Sequence, residues 1–313
     1  MQLKDSLNGY LRLPRSFFGI PSPKENLPDV GIVGVPYDLT SSYFPGCRFG
    51  PDAIRHATDS ERSHSYALQI GRKEFIDKPP LSQRITIEDV GDLEVAYRLP
   101  EQAVYDISEA STKLAKHGTF LLFLGGDHFI TYPILRGLSH AIDSEIGIVY
   151  LDAHADFYDD IGGAQYSHAT TLKRIVADDL VKIDHVLAYD VRSALPEQVK
   201  ELNDGNLPLV QDIASFTNKL KEINENVDRI YLSLDLDVLS PELVPGVSHP
   251  ESGGLSIKDV VTILRDLFKT RKVQWADLVE FNPLLDQTGV TSTHARDLVK
   301  EILSGFAYQK EYK

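Results

Sequence analysis

The sequence has few of the residues on which several large protein classes depend. Its 313 residues include one cysteine, Cys47, so neither a disulfide framework nor a thiolate zinc cluster can form. No apolar run approaches the roughly 20 residues that cross a bilayer, and the N-terminus has no continuous apolar segment typical of signal peptides. The 32 Lys and Arg oppose 46 Asp and Glu, and the net charge of −14 disfavours nucleic-acid or membrane partners. We therefore expect a soluble, cytoplasmic protein.

The composition, 42% hydrophobic and 25% charged, is that of an ordinary globular protein. Short apolar runs alternate with helical patterns, which predicts βαβ units on a mainly parallel sheet. The predicted strands are 31–36, 120–124, 146–151, 186–189, 230–234 and 278–281, and the predicted helices are 104–114, 172–180, 257–268 and 295–303. Polar residues 58–83 predict a surface excursion. Since no repeat or linker is present, 1–313 is predicted to be one domain.

Three segments place carboxylates and histidines directly after predicted strands. They read GGDH at 125–128, DAHAD at 152–156 and DLD at 235–237. In an extended chain, alternate side chains share a face, so the polar residues within each of the last two segments are expected to point the same way. The three strand ends therefore predict a cluster of two imidazoles and four carboxylates: His128, Asp152, His154, Asp156, Asp235 and Asp237.

Such a cluster indicates divalent metal. Four buried carboxylates without partners would cost several kcal/mol per charge, whereas two divalent cations balance their four negative charges. An oxygen-rich set with two nitrogens suits Mn²⁺ better than the tetrahedral N/S sites that zinc prefers. Six ligands exceed what one ion with an open position uses, which favours two ions about 3.5–4 Å apart. A single Asp or His at a strand end is more often a cap or a loop hydrogen-bond partner, and DAHAD alone fits either interpretation, so the prediction depends on all three segments.

The three segments resemble the signatures of the ureohydrolase family, which includes arginase and agmatinase. Further matches follow in family order: PGCRFGPDAIR at 45–55, SHAT at 167–170, PG with a following GG between 245 and 254, and VEFNP at 279–283. The resemblance implies a three-layer α/β/α fold with a central, mainly parallel sheet. It also implies two Mn²⁺ ions, hydrolysis of a small cationic guanidino substrate to release urea, and a homotrimer or homohexamer.

The resemblance also implies a role for each candidate residue. One ion would be held by His128, Asp152, Asp156 and Asp235, and the other by His154, Asp152, Asp235 and Asp237. His168 takes the place of the family's active-site histidine, and Glu280 that of the carboxylate that contacts the guanidinium group.

General chemistry agrees with these roles. The guanidinium carbon is a poor electrophile, so attacking water needs activation, and a divalent cation lowers the pKa of bound water toward about 7. Glu280 can accept paired, charge-assisted hydrogen bonds from a planar guanidinium group. His168, with an ordinary pKa near 6.5, can pass a proton to the leaving amine, and Asp156 is a second candidate for that step.

The loop at 157–167, FYDDIGGAQYS, bears on the substrate. It has no Lys or Arg to receive a carboxylate, and it carries Asp159 and Asp160. Tyr158 stands where arginases typically have asparagine. We therefore predict that Tyr158 and Asp159 contact the substrate and that agmatine is hydrolysed to putrescine and urea. Arginase, guanidinobutyrase, guanidine hydrolase and formimidoylglutamase activities remain open, because the two aspartates can equally face solvent.

Three departures from the family pattern leave the metal set whole and bear on specificity. Ser240 replaces an aspartate of the usual DxDxxDP, Ala169 replaces a common glycine, and PGVSHPESGG, with Ser248 and His249, replaces PGTGTPEPGG. Other classes stay as alternatives: a single-zinc hydrolase such as a deacetylase, a non-catalytic structural or regulatory relative, and a cysteine hydrolase built on Cys47. The complete six-ligand set argues against the second, and no histidine is tied by motif to Cys47.

Overall fold

A seven-stranded sheet forms the centre of the computed structural model, which describes residues 16–23, 25–59 and 63–312. The strands are Val30–Val35 (β1), Ile87–Asp92 (β2), Phe120–Gly125 (β3), Ile146–Leu151 (β4), Val186–Tyr189 (β5), Arg229–Asp235 (β6) and Val273–Val279 (β7). Their order is β2-β1-β3-β7-β6-β4-β5, and every pairing is parallel. Parallel strands need crossovers, and helices supply them.

Helices cover both faces of this sheet. They are Gly50–Ala57 (α1), Lys73–Ile76 (α2), Pro100–Ala115 (α3), Thr131–Ala141 (α4), Thr171–Ala177 (α5), Pro196–Asp204 (α6), Ile213–Asn226 (α7), Ile257–Phe268 (α8) and Val290–Lys310 (α9). Alternate residues of β3 enter two separate apolar cores, Leu122 and Leu124 in one and Leu121 and Phe123 in the other. The predicted three-layer α/β/α fold is confirmed. None of the helices among the described residues is long and apolar enough to cross a membrane.

The strand and helix predictions hold where the apolar pattern is strong. The predictions at 31–36, 120–124, 146–151, 186–189 and 230–234 match β1, β3, β4, β5 and β6, and helix α8 has the predicted bounds. Strand β2 was not predicted, because this edge strand reads IEDVGD and is largely exposed. The prediction at 278–281 was misplaced, since β7 begins at Val273 and contains the polar residues Gln274 and Asp277.

The described residues of this range, 58–59 and 63–83, are more than a surface excursion, so that prediction was wrong for them. Phe75, in the short helix α2, is 1% exposed and stacks on Tyr308 of α9 with ring centroids 4.6 Å apart. Below this segment, Arg265 of α8 pairs with Glu301 of α9, and both bind backbone groups of Leu68. The segment therefore seals part of the core.

Candidate metal centre

The candidate residues lie at the carboxyl edge of the sheet, on the loops that follow four adjacent strands. Strands β3, β7, β6 and β4 are neighbours in that order, and they lead to His128, Glu280, Asp235 and Asp152 respectively. Open parallel sheets place their ligand sites at this edge. The strand order therefore brings together residues that are up to 152 positions apart along the chain.

The side chains do not converge in the way that the extended-chain argument predicted. Strand β4 ends at Leu151, and Asp156 has a left-handed backbone with φ of +46°. His128 opens a short 3₁₀ turn, His128–Ile130, and Asp237 lies in another, Leu236–Val238. Turns after the strands, rather than a shared strand face, aim these side chains at one point.

Gly126 permits the turn that precedes His128. Its φ is +21°, and a β-carbon there would lie 2.3 Å from the carbonyl oxygen of Tyr37. No larger side chain fits such a close backbone approach. The paired glycines of GGDH, weak evidence by themselves, therefore have a structural explanation.

Two groups of three possible ligands share Asp152: His128, Asp152 and Asp235 form one, and Asp152, His154 and Asp237 the other. His128 Nδ1 lies 2.9 Å from Asp152 Oδ2 and 2.9 Å from Asp235 Oδ2. His154 Nδ1 lies 3.0 Å from Asp237 Oδ2 and 3.5 Å from Asp152 Oδ1. All except His154 are buried. The structure thus brings five of the six predicted ligands together.

Asp156, the sixth predicted ligand, joins the cluster through His128 and Tyr150. Its Oδ2 lies 3.4 Å from His128 Nδ1 and accepts a 2.7 Å hydrogen bond from the Tyr150 hydroxyl. Burial, followed by the charge of Asp152, raises the pKa of Asp156 to about 7. The Tyr150 ring also stacks on that of His128, with centroids 4.5 Å apart. Tyr150 therefore holds both groups.

A buried carboxylate beneath the cluster fixes the tautomer of His128. Asp277 accepts hydrogen bonds from Thr131, Tyr231, Ser233 and the Leu234 amide. Because the single Ser233 hydroxyl proton goes to Asp277, Ser233 must accept the hydrogen bond that joins it to His128 Nε2 at 2.9 Å. Nδ1 of the neutral ring then offers its lone pair to the cluster, which is the usual support for a metal-bound histidine.

These observations fit a pair of divalent cations. Asp152 Oδ2 is buried without an aligned hydrogen bond from any described residue, although His128 Nδ1 lies 2.9 Å away, so this oxygen can accept another group. Despite burial, the facing carboxylates hold the pKa of His128 and His154 well above the ordinary value. The cluster thus attracts positive charge, and metal ions can supply it in place of protons.

Glu280 and His168 lie beside the cluster. Glu280 is 3% exposed, has a left-handed backbone with φ of +62°, and accepts the backbone N–H of His128 at 2.9 Å. Burial alone would raise the pKa of Glu280, but the hydrogen bond and charge of His168 outweigh it and lower the pKa to about 2. Burial alone would likewise lower the pKa of His168, and Glu280 instead raises it to about 9. The two groups form an ion pair with Nδ1 and Oε1 3.6 Å apart.

A cavity of about 310 Å³ opens over these groups, and Tyr158 is one of the residues that line it. Asp159 does not line it: its side chain is 79% exposed and lies 3.1 Å from Lys173 Nζ. The described lining residues include no Lys or Arg. Glu251 lies close by instead, since it accepts a 2.8 Å hydrogen bond from the lining residue Ser193.

The loop between β1 and α1 supplies site residues that the sequence reasoning missed. Thr40 donates its hydroxyl to Asp127 of GGDH and accepts the backbone N–H of His168. Ser42 lies 3.1 Å from His168 Nε2. Nothing in the sequence marked these two residues. Tyr150 and Ser233, by contrast, interrupt apolar strands with hydroxyl groups, which is a signal that could have been used.

Together, an all-parallel α/β/α fold and an Asp/His cluster at its carboxyl edge define a metal-dependent hydrolase. Residues 28–305 match the family model described as the arginase family. The chain therefore belongs to the arginase family, whose members are amidinohydrolases.

Individual relatives are similar over nearly the whole chain. A guanidinobutyrase of Pseudomonas aeruginosa is 32% identical, covering 94% of this chain and 90% of its own. An agmatinase of Neisseria meningitidis is also 32% identical, covering 94% and 91%. Among solved structures, the proclavaminate amidino hydrolase from Streptomyces clavuligerus superimposes with a TM-score of 0.81 at 27% identity, covering 96% and 99%.

Proposed function

We propose that this enzyme hydrolyses agmatine to putrescine and urea at a centre of two Mn²⁺ ions. The observation that carries the proposal is the buried pair of Asp/His groups that share Asp152. In the proposal His128, Asp152, Asp156 and Asp235 would hold one ion, and His154, Asp152, Asp235 and Asp237 would hold the other. Bound there, the metal would activate water for attack on the guanidinium carbon.

Glu280 and His168 perform the remaining steps. The ionised carboxylate of Glu280 accepts N–H groups of the guanidinium cation and orients its plane toward the metal site. Because the pKa of His168 is about 9, its ring carries a proton at neutral pH. His168 can therefore protonate the departing amine, which would otherwise be a poor leaving group.

The cavity supports an amine tail over a carboxylate tail. Tyr158, Ile161, Leu195 and Gln198 line it. No Lys or Arg is among the described lining residues, and the protonated ring of His168 is already paired with Glu280. Burying a carboxylate without a partner costs several kcal/mol. Glu251 adds negative charge near the Ser193 wall, which favours an ammonium group. Since the guanidinobutyrase and agmatinase relatives are equally identical to this chain, the proposal of agmatine rests on the lining of the cavity.

We also propose, from the family resemblance, that the enzyme is a cytoplasmic homotrimer or homohexamer that contributes to polyamine biosynthesis. Light scattering coupled to size-exclusion chromatography would measure the assembly directly. A monomer at micromolar concentration would contradict this part of the proposal.

A urea-release screen tests the reaction. Manganese-loaded enzyme would be assayed with agmatine, arginine, 4-guanidinobutyrate and guanidine, and formiminoglutamate would be scored by formamide. We expect kcat/KM for agmatine to exceed the others by at least ~10-fold, which corresponds to about 1.4 kcal/mol. Equal turnover of arginine and agmatine would refute the preference. Metal analysis is expected to give two equivalents of Mn²⁺, whereas one equivalent of zinc would favour the single-zinc alternative.

A further inference from the structure

His249 lies beside His168 in the cavity wall, and the roles described above do not use it. The two imidazole centroids are 4.8 Å apart, with the ring planes tilted by 37°. Ser42 joins them, since its Oγ lies 3.1 Å from His168 Nε2 and 3.2 Å from His249 Nε2. All three residues line the cavity. They form a connected group of two rings and one hydroxyl, which we call the Ser42 bridge.

The Ser42 bridge completes the restraint on His168. Glu280 lies at Nδ1 of that ring and Ser42 at Nε2, so both nitrogens are engaged and rotation of the ring would break both contacts. In His249, by contrast, only one ring nitrogen is hydrogen-bonded. Its Nε2 pairs with Ser42, whereas its Nδ1 is buried without a hydrogen-bond partner among the described residues. The polar connection of His249 to the site therefore runs through Nε2 and Ser42.

Both ends of the Ser42 bridge are anchored to the fold. Thr40, two residues before Ser42, donates to Asp127 at 2.7 Å and accepts the His168 amide at 3.1 Å. On the other side, Ser248 precedes His249 and donates its hydroxyl to the carbonyl of Phe44 at 2.6 Å. Because two separate chain segments are tied together here, the bridge can hold an imidazole in one orientation.

We propose that Ser42 and His249 are positioning residues that keep the His168 ring aimed at the reacting group. This inference rests on the proposed function, in which His168 delivers the proton to the leaving amine. Glu280 pairs with His168, and the His154 ring lies 6.2 Å from that of His249, but Glu280 is also held by the His128 amide and His154 by Asp237. Substrate binding should therefore be largely retained when the bridge is broken. Loss of the bridge therefore lowers kcat and leaves KM nearly unchanged.

Matched substitutions test this. In His249→Gln the side-chain amide lies near the Nε2 position and keeps a partner for Ser42, whereas His249→Asn places its amide near Nδ1 and does not. We expect His249→Asn and Ser42→Ala to lower kcat for agmatine by about 10- to 100-fold, the range set by a misplacement of about 1 Å. His249→Gln and Ser42→Thr, which retain the polar group, should recover to within about 5-fold. The double variant Ser42→Ala/His249→Asn should be no worse than Ser42→Ala.

A second measurement is independent of turnover. Diethyl pyrocarbonate modification of His168, followed by mass spectrometry, should be faster in Ser42→Ala and His249→Asn, because Nε2 loses its restraint. Equal kcat for the Gln and Asn variants, a change confined to KM, additive losses, or unchanged His168 reactivity would overturn the inference. If wild-type enzyme hydrolyses no guanidino compound, the proposed function fails, and the reactivity of His168 still tests the positioning role.

Discussion

The Arg265–Glu301 pair and the candidate metal centre are both clusters of buried charge, and they differ in how fully the protein satisfies them. Glu301 Oε2 accepts from Arg265 Nε and Nη2 at 3.0 and 2.9 Å, and its Oε1 accepts the Leu68 amide. Arg265 also donates to the carbonyls of Leu68 and Ile70. In the candidate metal centre, four carboxylates face two imidazoles, and Asp152 Oδ2 has no aligned hydrogen bond within the described part of the chain, although His128 Nδ1 lies 2.9 Å away.

This difference indicates that the Arg265–Glu301 pair has a structural role and the candidate metal centre a functional one. The charged groups of the Arg265–Glu301 pair are hydrogen-bonded to each other and to backbone groups, and the pair holds residues 63–83 against α8 and α9. It therefore contributes to the stability of the fold. The Asp/His cluster, with more carboxylates than imidazoles, can accept an external cation, so its expected contribution is to chemistry. Substitutions in the Arg265–Glu301 pair should therefore change mainly the free energy of unfolding, whereas those in the candidate metal centre should change mainly catalysis.

The largest effect is expected at the ligand shared by the two Asp/His groups. Asp152→Asn should lower kcat/KM by at least ~10³-fold, because metal contributes several kcal/mol to the transition state. Urea release and metal content by mass spectrometry would be measured together. Asp204→Asn, an exposed change at the end of α6, is the control. Retained metal with full activity in Asp152→Asn would contradict the assignment.

Substitutions in the Arg265–Glu301 pair should instead lower the free energy of unfolding. Glu301→Ala leaves the Arg265 charge buried and should lower the free energy of unfolding by about 3–5 kcal/mol. Urea denaturation followed by circular dichroism would measure it. The double variant Arg265→Met/Glu301→Leu removes both charges and should restore most of the loss. A single variant as stable as wild type would show that the pair is not a structural element.

The ion pair beside the cluster predicts a pH response. Burial disfavours the protonated ring of His168, and Glu280 outweighs burial, so Glu280→Gln should lower the His168 pKa from about 9 to 6.5 or below. The wild-type ring stays protonated up to about pH 9, whereas the variant ring loses its proton near neutrality. NMR titration of metal-free protein would follow it. Asp127 raises the His168 pKa less than Glu280 does, so Asp127→Asn should lower that pKa by a smaller amount. An unchanged His168 pKa in Glu280→Gln would show that Glu280 and His168 do not form an ion pair.

The smallest effect concerns the support of His128. Ser233→Ala removes the acceptor at Nε2 and should weaken Mn²⁺ binding by about 10- to 100-fold, as is typical when the partner of a metal-bound histidine is lost. Calorimetric titration with Mn²⁺ would measure it. Ser111→Ala is a matched control, because this buried hydroxyl in α3 has no hydrogen-bond partner among the residues that the structure describes. Equal affinity in both variants would remove the proposed role of Ser233.

The sequence predicts the core of the site because its chemistry interrupts hydrophobic patterns. Asp152 and Asp235 come where apolar strands meet polar residues, and parallel strands share a carboxyl edge. The directions in which the ligand side chains point were not predictable, because Asp156 adopts a left-handed backbone conformation that the extended-chain argument does not anticipate. The strand-end positions follow from local pattern, whereas side-chain aim depends on turns fixed by tertiary contacts.

Residues brought in from distant loops leave no local signal. Ser42 lies 126 positions from His168 and 207 from His249, and neither spacing has a periodic meaning. Asp159 shows the converse: charge in the right loop suggested substrate contact, but the side chain extends toward Lys173 and solvent. Local composition therefore predicted which residues carry the chemistry of the site more reliably than it predicted which residues line the cavity.

The position of β7 sets the order in which the centre can be assembled. This strand comes last along the chain, yet it lies between β3 and β6 in the sheet. A nascent polypeptide that has already exposed all six Asp and His ligands still lacks the strand that spaces them. The two halves of the sheet cannot join until residues 273–279 have emerged from the ribosome, so the Asp/His cluster is completed late in biosynthesis.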